Sequence, residues 1–134
     1  MEYQLKVNQG IAPFYLGESI DSYLETYDCE CVEEDDDEDC EIYVFFHSEI
    51  KVNVNTTTRL IEGVQCGRYC YMEKEDVIGM NIHRFLERKW LEGEYIVETM
   101  YMDEDDKIDN LYDFDCGVMI WVNQLDTIET VFVC

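Results

Sequence analysis

Carboxylates are the side chains of this sequence best placed to act together. Glu33-Glu34-Asp35-Asp36-Asp37-Glu38-Asp39 is an uninterrupted acidic run, and Asp103-Glu104-Asp105-Asp106 repeats it in shorter form, followed by Asp109, Asp113 and Asp115 with only Lys107 to offset them. No Lys or Arg occurs between Lys6 and Lys51. Adjacent like charges repel and oppose compaction, so such runs add nothing to folding and point to something outside the fold. A hard cation such as Ca²⁺ needs a cage of about six to eight oxygens. The second run departs from the EF-hand pattern, because Lys107 stands where an oxygen ligand is required and Ile108 where the loop needs glycine. A basic protein surface fits better, since carboxylates hasten its capture and imitate the phosphates that Lys and Arg hold. The candidate partner-binding residues are therefore Glu33, Glu34, Asp35, Asp36, Asp37, Glu38 and Asp39, joined by Asp103, Glu104, Asp105 and Asp106.

Other chemistry finds less support. Cys29, Cys31, Cys40, Cys66, Cys70, Cys116 and Cys134 form an odd set, which suits reduced thiols better than a disulfide framework. No CxxC pair exists, and His47 and His83 stand alone, so no metal site and no cofactor are expected. His83, beside Arg84, Arg88 and Lys89, reads as an exposed residue toward the C-terminal end of a helix. A nucleophile elbow, a P-loop and a dinucleotide fingerprint are absent, and Gly10 and Gly17 lack the spacing of a phosphate cradle, so no catalytic residues are assigned.

Charge and composition narrow the classes further. The 134 residues carry 32 Asp plus Glu against 9 Lys plus Arg, a formal net charge of -23, yet 47% are hydrophobic and 13% aromatic. That balance predicts a folded, acidic domain rather than a disordered one. Its field repels nucleic acid and anionic membranes. The N-terminal stretch MEYQLKVNQG has no basic segment followed by an apolar one, and no apolar run reaches the roughly 18 residues of a spanning helix, so a cytoplasmic location is expected.

The elements that must position these residues are repeated. Leu16 to Leu24 matches Ile78 to Leu86 in the order apolar, Gly, any, Ser or Asn, Ile, two polar, aromatic, Leu. Ser19 and Asn81 are the expected N-caps of two helices, Ser19 to Tyr27 and Asn81 to Trp90, each with an apolar stripe at helical spacing. Downstream, Phe46 to Cys66 aligns with Phe114 to Cys134, including Phe46 with Phe114, Val54 with Val122 and Cys66 with Cys134. Alternation at Ile50 to Val54, Leu60 to Val64, Val118 to Val122 and Thr127 to Val133 predicts antiparallel strands, to which Tyr3 to Val7, Arg68 to Met72 and Glu94 to Tyr101 add more. The reading is one α+β domain of two pseudo-repeats (about 1–70 and 71–134), with a curved or barrel-like antiparallel sheet of about seven to nine strands and two short helices. Both acidic runs precede a strand and read as solvated loops.

In size, charge and acidic segments, Glu33 to Asp39 and Asp103 to Asp106, the chain resembles the immunity proteins of bacterial contact-dependent growth inhibition and other polymorphic toxin systems. The resemblance implies a non-enzymatic inhibitor, monomeric before binding, whose partner is a cognate toxin domain, commonly a basic nuclease, with its active site or substrate groove occluded. Buried anchors would supply affinity, for which Tyr43, Tyr101, Tyr112 and Trp121 are candidates. The other reading is an acidic adaptor that engages a basic partner without inhibiting it.

Overall fold

The computed structural model describes residues 3–102 and 107–134. A small antiparallel sheet opens the chain, made of β1 (Leu5–Lys6), β2 (Gly10–Ile11) and β3 (Phe14–Tyr15), and is followed by helix α1 (Ile20–Leu24). A four-strand meander comes next: β4 (Cys29–Glu34), β5 (Cys40–Phe45), β6 (Ile50–Asn55) and β7 (Ile61–Cys66). The second half repeats the plan with hairpin β8 (Tyr71–Met72) and β9 (Glu75–Asp76), helix α2 (Ile82–Glu87), then β10 (Tyr95–Met102), β11 (Lys107–Phe114), β12 (Val118–Val122) and β13 (Ile128–Val133). The eight meander strands form one antiparallel sheet in the order β10-β11-β12-β13-β7-β6-β5-β4. The fold is α+β, and the large sheet is open, so β10 and β4 are its two edges.

Local sequence explains why the same elements arise twice. Ser19 Oγ accepts from Asp21 N at 3.3 Å and Asn81 Oδ1 accepts from His83 N at 2.9 Å, each satisfying a free donor of the first helical turn. Gly17 and Gly79 precede the caps with φ of 82° and 88°, a conformation that costs glycine nothing. Both N–H groups then reach the sheet, Gly17 to Ile61 O and Gly79 to Ile128 O, each at 2.8 Å. The helices end sooner than their apolar stripes imply, at C-caps Glu25 and Arg88. Tyr27 and Trp90 lie beyond them yet still pack on the core.

Strand pairing fixes how the halves correspond. Ile50, Val52 and Val54 pair with Cys66, Val64 and Ile61, while Val118, Ile120 and Val122 pair with Val133, Val131 and Ile128, each ladder carrying one register shift, at Asn53/Val54 and at Trp121/Val122. The counterpart of Cys66 is thus Val133, not Cys134. Likewise Phe45 faces Ile50 as Phe114 faces Val118, so Phe45 rather than Phe46 corresponds to Phe114. Hairpins that differ by a residue in length shift the alignment, which an ungapped comparison of the sequence misses. The β7·β13 pair joins the halves with Gln65 opposite Phe132, Val131 opposite Cys66 and Val133 opposite Val64, a pairing that is unchanged when the halves are exchanged.

One continuous core lies between one face of the large sheet and the helices with the N-terminal strands. Phe14 packs on Phe45 at 4.8 Å and on Tyr23 at 4.9 Å, and Phe85 meets Phe114 at 6.5 Å. Burying each such ring contributes about 1.5–3 kcal/mol, so these contacts dominate the attachment of both helices. Among the described residues no helix is long and apolar enough to cross a membrane.

Candidate functional site

The β4–β5 hairpin holds the first acidic run, and the structure divides that run by role. Glu33 and Glu34 belong to β4 rather than to a loop, and Asp35 to Asp39 form the turn. Asp35 Oδ1 accepts from Asp36 N and Asp37 Oδ1 from Asp39 N, both at 2.9 Å, so two carboxylates close the turn through their own backbone, as short acceptor side chains do. Asp39 O accepts from Thr56 N at 2.9 Å and ties the turn to the β6–β7 loop. The run is also less isolated than its sequence implies, because Lys51 Nζ on β6 reaches across β5 to within 3.2 Å of Glu33 Oε1 on β4.

Beyond that pair the charges converge. A depression of about 350 Å³ is lined by Glu34, Asp35, Asp37, Glu38 and Glu41, with Cys40 and Thr56, and among the described residues no Lys or Arg enters the lining. Cys40 registers its surroundings. Burial first, then the hydrogen bond to Asp35 and the negative charges of Asp35 and Glu62, push its thiol up to about 11, so it is neutral at physiological pH and a poor nucleophile or metal ligand. The arrangement can receive Lys or Arg side chains, each exchanging water for several charge-assisted hydrogen bonds.

Asp103, Glu104, Asp105 and Asp106 lie outside the described residues. The strand ends that bracket them, Met102 and Lys107, are at one edge of an all-antiparallel eight-stranded sheet, and Glu34 and Cys40 are at the other. With eight alternating strands, β4 and β10 run in opposite directions. Their ends therefore occupy diagonal corners of the sheet.

The expected anchors separate clearly. Tyr43 and Tyr112 are core residues on interior strands, Trp121 is partly buried, and Tyr101 is 74% exposed on β10. Tyr95, Ile96 and Val97, also on β10, are exposed apolar residues that the sequence reading passed over. The run Tyr95-Ile96-Val97 has apolar residues on both faces, the pattern of a covered interior strand, and only the sheet order shows that it is an edge.

Several other chemistry-bearing residues have structural partners. His83 sits in the first turn of α2, not near its C-terminal end, with Nε2 3.4 Å from Asp126 Oδ2. Arg88 pairs with Glu75 at 3.0 Å and lies over the Trp90 ring. Cys66 and Cys70 are buried neighbours, the Cys66 thiol donating to Tyr69 O, and the contact with Cys66 together with burial raises the Cys70 thiol well above its ordinary value. Among the described residues no group of three His, Cys, Asp or Glu side chains converges to hold a metal. Comparison with known protein families, curated proteins and solved structures finds no match for the chain.

Proposed function

We propose that this chain is a cytoplasmic immunity protein that neutralises a cognate basic toxin domain, with the β4–β5 hairpin as the element that enters the toxin's substrate groove. The observation that carries the reading is the convergence of Glu34, Asp35, Asp37, Glu38 and Glu41 on one depression with no Lys or Arg among its described lining residues. A nuclease groove built for phosphate is lined by Lys and Arg, and a carboxylate-rich hairpin can occupy it without being cleaved. Charge repulsion in the free protein is relieved on contact, so association is fast and salt-sensitive.

The test is neutralisation of the toxin domain encoded beside this gene, with wild type compared to a variant carrying Asp35→Asn, Asp36→Asn, Asp37→Asn and Asp39→Asn. Asparagine keeps the acceptor oxygens that close the turn, so the fold is expected to melt at or slightly above the wild-type temperature. The association rate is expected to fall at least tenfold at low ionic strength, and protection with it. Wild-type kinetics in the variant would remove the hairpin from the interface. Binding without protection would instead make the chain an acidic adaptor.

A further inference from the structure

The other edge of the sheet has a different chemistry. Glu94 O accepts from Asp115 N at 3.0 Å, which marks Glu94 and Asp115 as a hydrogen-bonded pair of the β10·β11 ladder. In an antiparallel ladder such pairs alternate, so Ile96, Glu98 and Met100 turn their backbone groups inward to Asp113, Leu111 and Asp109. Tyr95, Val97, Thr99 and Tyr101 turn theirs outward, where among the described residues no further strand of the sheet lies. This open side is not blunted: Tyr95 is 43%, Ile96 58%, Val97 47% and Tyr101 74% exposed. Natural edges that avoid pairing carry several charges, a proline or a bulge, whereas β10 carries one charged residue, Glu98, and pairs over its whole length without a register shift.

The two faces of the edge differ in kind. Tyr95, Val97 and Tyr101 point to the side of Tyr112 and Phe114, and the Tyr95 ring packs tilted against both, at 5.7 and 5.0 Å. Glu94, Ile96 and Glu98 point to the opposite side, the side of Asp113 and Asp115. There a depression of about 270 Å³ is lined by Glu94, Ile96, Asp113 and Asp115 together with Tyr95. Apolar wall and carboxylate rim together match a Lys or Arg side chain, which packs its methylene stem and leaves its charge at the rim.

We propose that the free edge of β10 takes up, by strand addition, an extended segment of a basic protein in which apolar residues alternate with Lys or Arg. Main-chain hydrogen bonds from Tyr95, Val97, Thr99 and Tyr101 hold the segment, its apolar residues cover the tyrosine and valine face, and its cations meet Glu98 and the acidic depression. A second copy of this chain is the poorer occupant. The register that uses all four open residues pairs Tyr95 with Tyr101 and Val97 with Thr99, and it sets Glu98 directly against its own copy between chains of net charge -23 each. The surface stands apart from the β4–β5 hairpin, seven strand spacings of about 4.8 Å or roughly 34 Å along the sheet from β4, and the inference does not rest on the immunity reading.

The probe is a blocked heptapeptide, Val-Lys-Val-Lys-Val-Lys-Val, titrated by fluorescence anisotropy against the full chain. It is compared with a peptide of the same composition in block order and with one N-methylated at the amides on its pairing side. The alternating peptide is expected to bind at least tenfold more tightly than either control and to slow amide exchange at Val97 and Thr99. Val97→Pro removes an outward donor without breaking a β10·β11 bond, and is expected to cost at least tenfold. Glu98→Lys is expected to weaken the lysine peptide and to admit Val-Glu-Val-Glu-Val-Glu-Val in its place, which keeps the test decisive if the proline variant folds poorly. The hairpin variant with four asparagines should bind the peptide within threefold of wild type, so this proposal and the preceding one fail separately. Equal binding of the block peptide, indifference to N-methylation, or a β10-dependent dimer in sedimentation would overturn it.

Discussion

Strands β4 and β10 hold the same place in their halves and have opposite surfaces. Each follows a capped helix, each is outermost, and each starts opposite the equivalent aromatic, Cys29 facing Phe45 and Tyr95 facing Phe114. On β4, Glu30, Glu33 and Glu34 are exposed, the register shifts between Cys29 and Cys31, and Lys51 reaches across to Glu33. Those are the devices by which an edge avoids pairing. β10 is longer, mostly apolar and regular. The two halves thus match in what faces inward and differ in what faces out. A polar contact behaves the same way: the Arg59–Asp21 ion pair at 2.6 Å in the first half is matched by a contact of Asp126 with the His83 imidazole at 3.4 Å in the second, the acidic partner moved from helix to loop.

The largest effect expected is in the interior that the halves share. Phe45 and Phe114 are both buried, but Phe45 is enclosed by Phe14 and Phe46, while Phe114 leans on Tyr95, itself at the open edge. Truncating a buried phenylalanine costs about 3–5 kcal/mol, and Phe45→Ala is expected near the top of that range and Phe114→Ala near the bottom. Urea unfolding of the two variants checks it. The reverse order would mean that the β10 side is the better-packed half, and the contrast between the edges would not reach the core.

A smaller effect separates the halves at high pH. Burial, then hydrogen bonding to Glu18, raises the Tyr23 hydroxyl far above its ordinary value, and burial with hydrogen bonding to Glu49 does the same for Tyr3. Cys40 and Cys70 are raised as well. A folded-state pKa above the unfolded one gives stability that is complete below the unfolded value and lost as pH rises through the folded one. Stability is therefore expected to fall from about pH 9, where free thiols begin to ionise, and more steeply past about pH 10, where free tyrosines do. The helix position of Tyr23 is Phe85 in the second half, which has nothing to ionise. Tyr23→Phe should flatten the alkaline decline measured by urea midpoints at pH 7, 9 and 10.5. An unchanged slope would leave the decline to Tyr3, Tyr112 and the thiols.

How much of this was legible in the sequence depends on how local the cause is. The caps at Ser19 and Asn81 and the alternation of Ile50 to Val54 and Val118 to Val122 are local, and the structure has them where the residues indicate. Helix ends at Glu25 and Arg88 were less legible, because Tyr27 and Trp90 continue the apolar stripe while packing from beyond the helix. One-residue differences in hairpin length displaced the expected matches of Phe114 and Cys66. The acidic hairpin could be read from Glu33 to Asp39, but not that Asp35 and Asp37 close their own turn or that Lys51 reaches Glu33. The order of strands is set by non-local pairing. For that reason Tyr43 and Tyr112 could not be told from Tyr101, nor β10 recognised as an edge.

The smallest predicted effects lie at the caps, where the halves are most alike. Helices of five and six residues are too short to persist alone, so they rest on tertiary contacts and on the few donors their caps satisfy. Ser19→Ala and Asn81→Ala each leave a first-turn N–H without its side-chain acceptor and should each cost about 1 kcal/mol. The Asn81 bond, at 2.9 Å against 3.3 Å, is the better made, so Asn81→Ala should cost the more of the two. Exchanging the caps, Ser19→Asn with Asn81→Ser, replaces one good acceptor by another in the same extended backbone conformation and should leave the urea midpoint nearly unchanged. If one alanine variant were neutral while the other lost 2 kcal/mol or more, roughly the upper end for such caps, the shared geometry of the halves would not be shared energetics. The divergence seen at β4 and β10 would then begin at the helices that precede them.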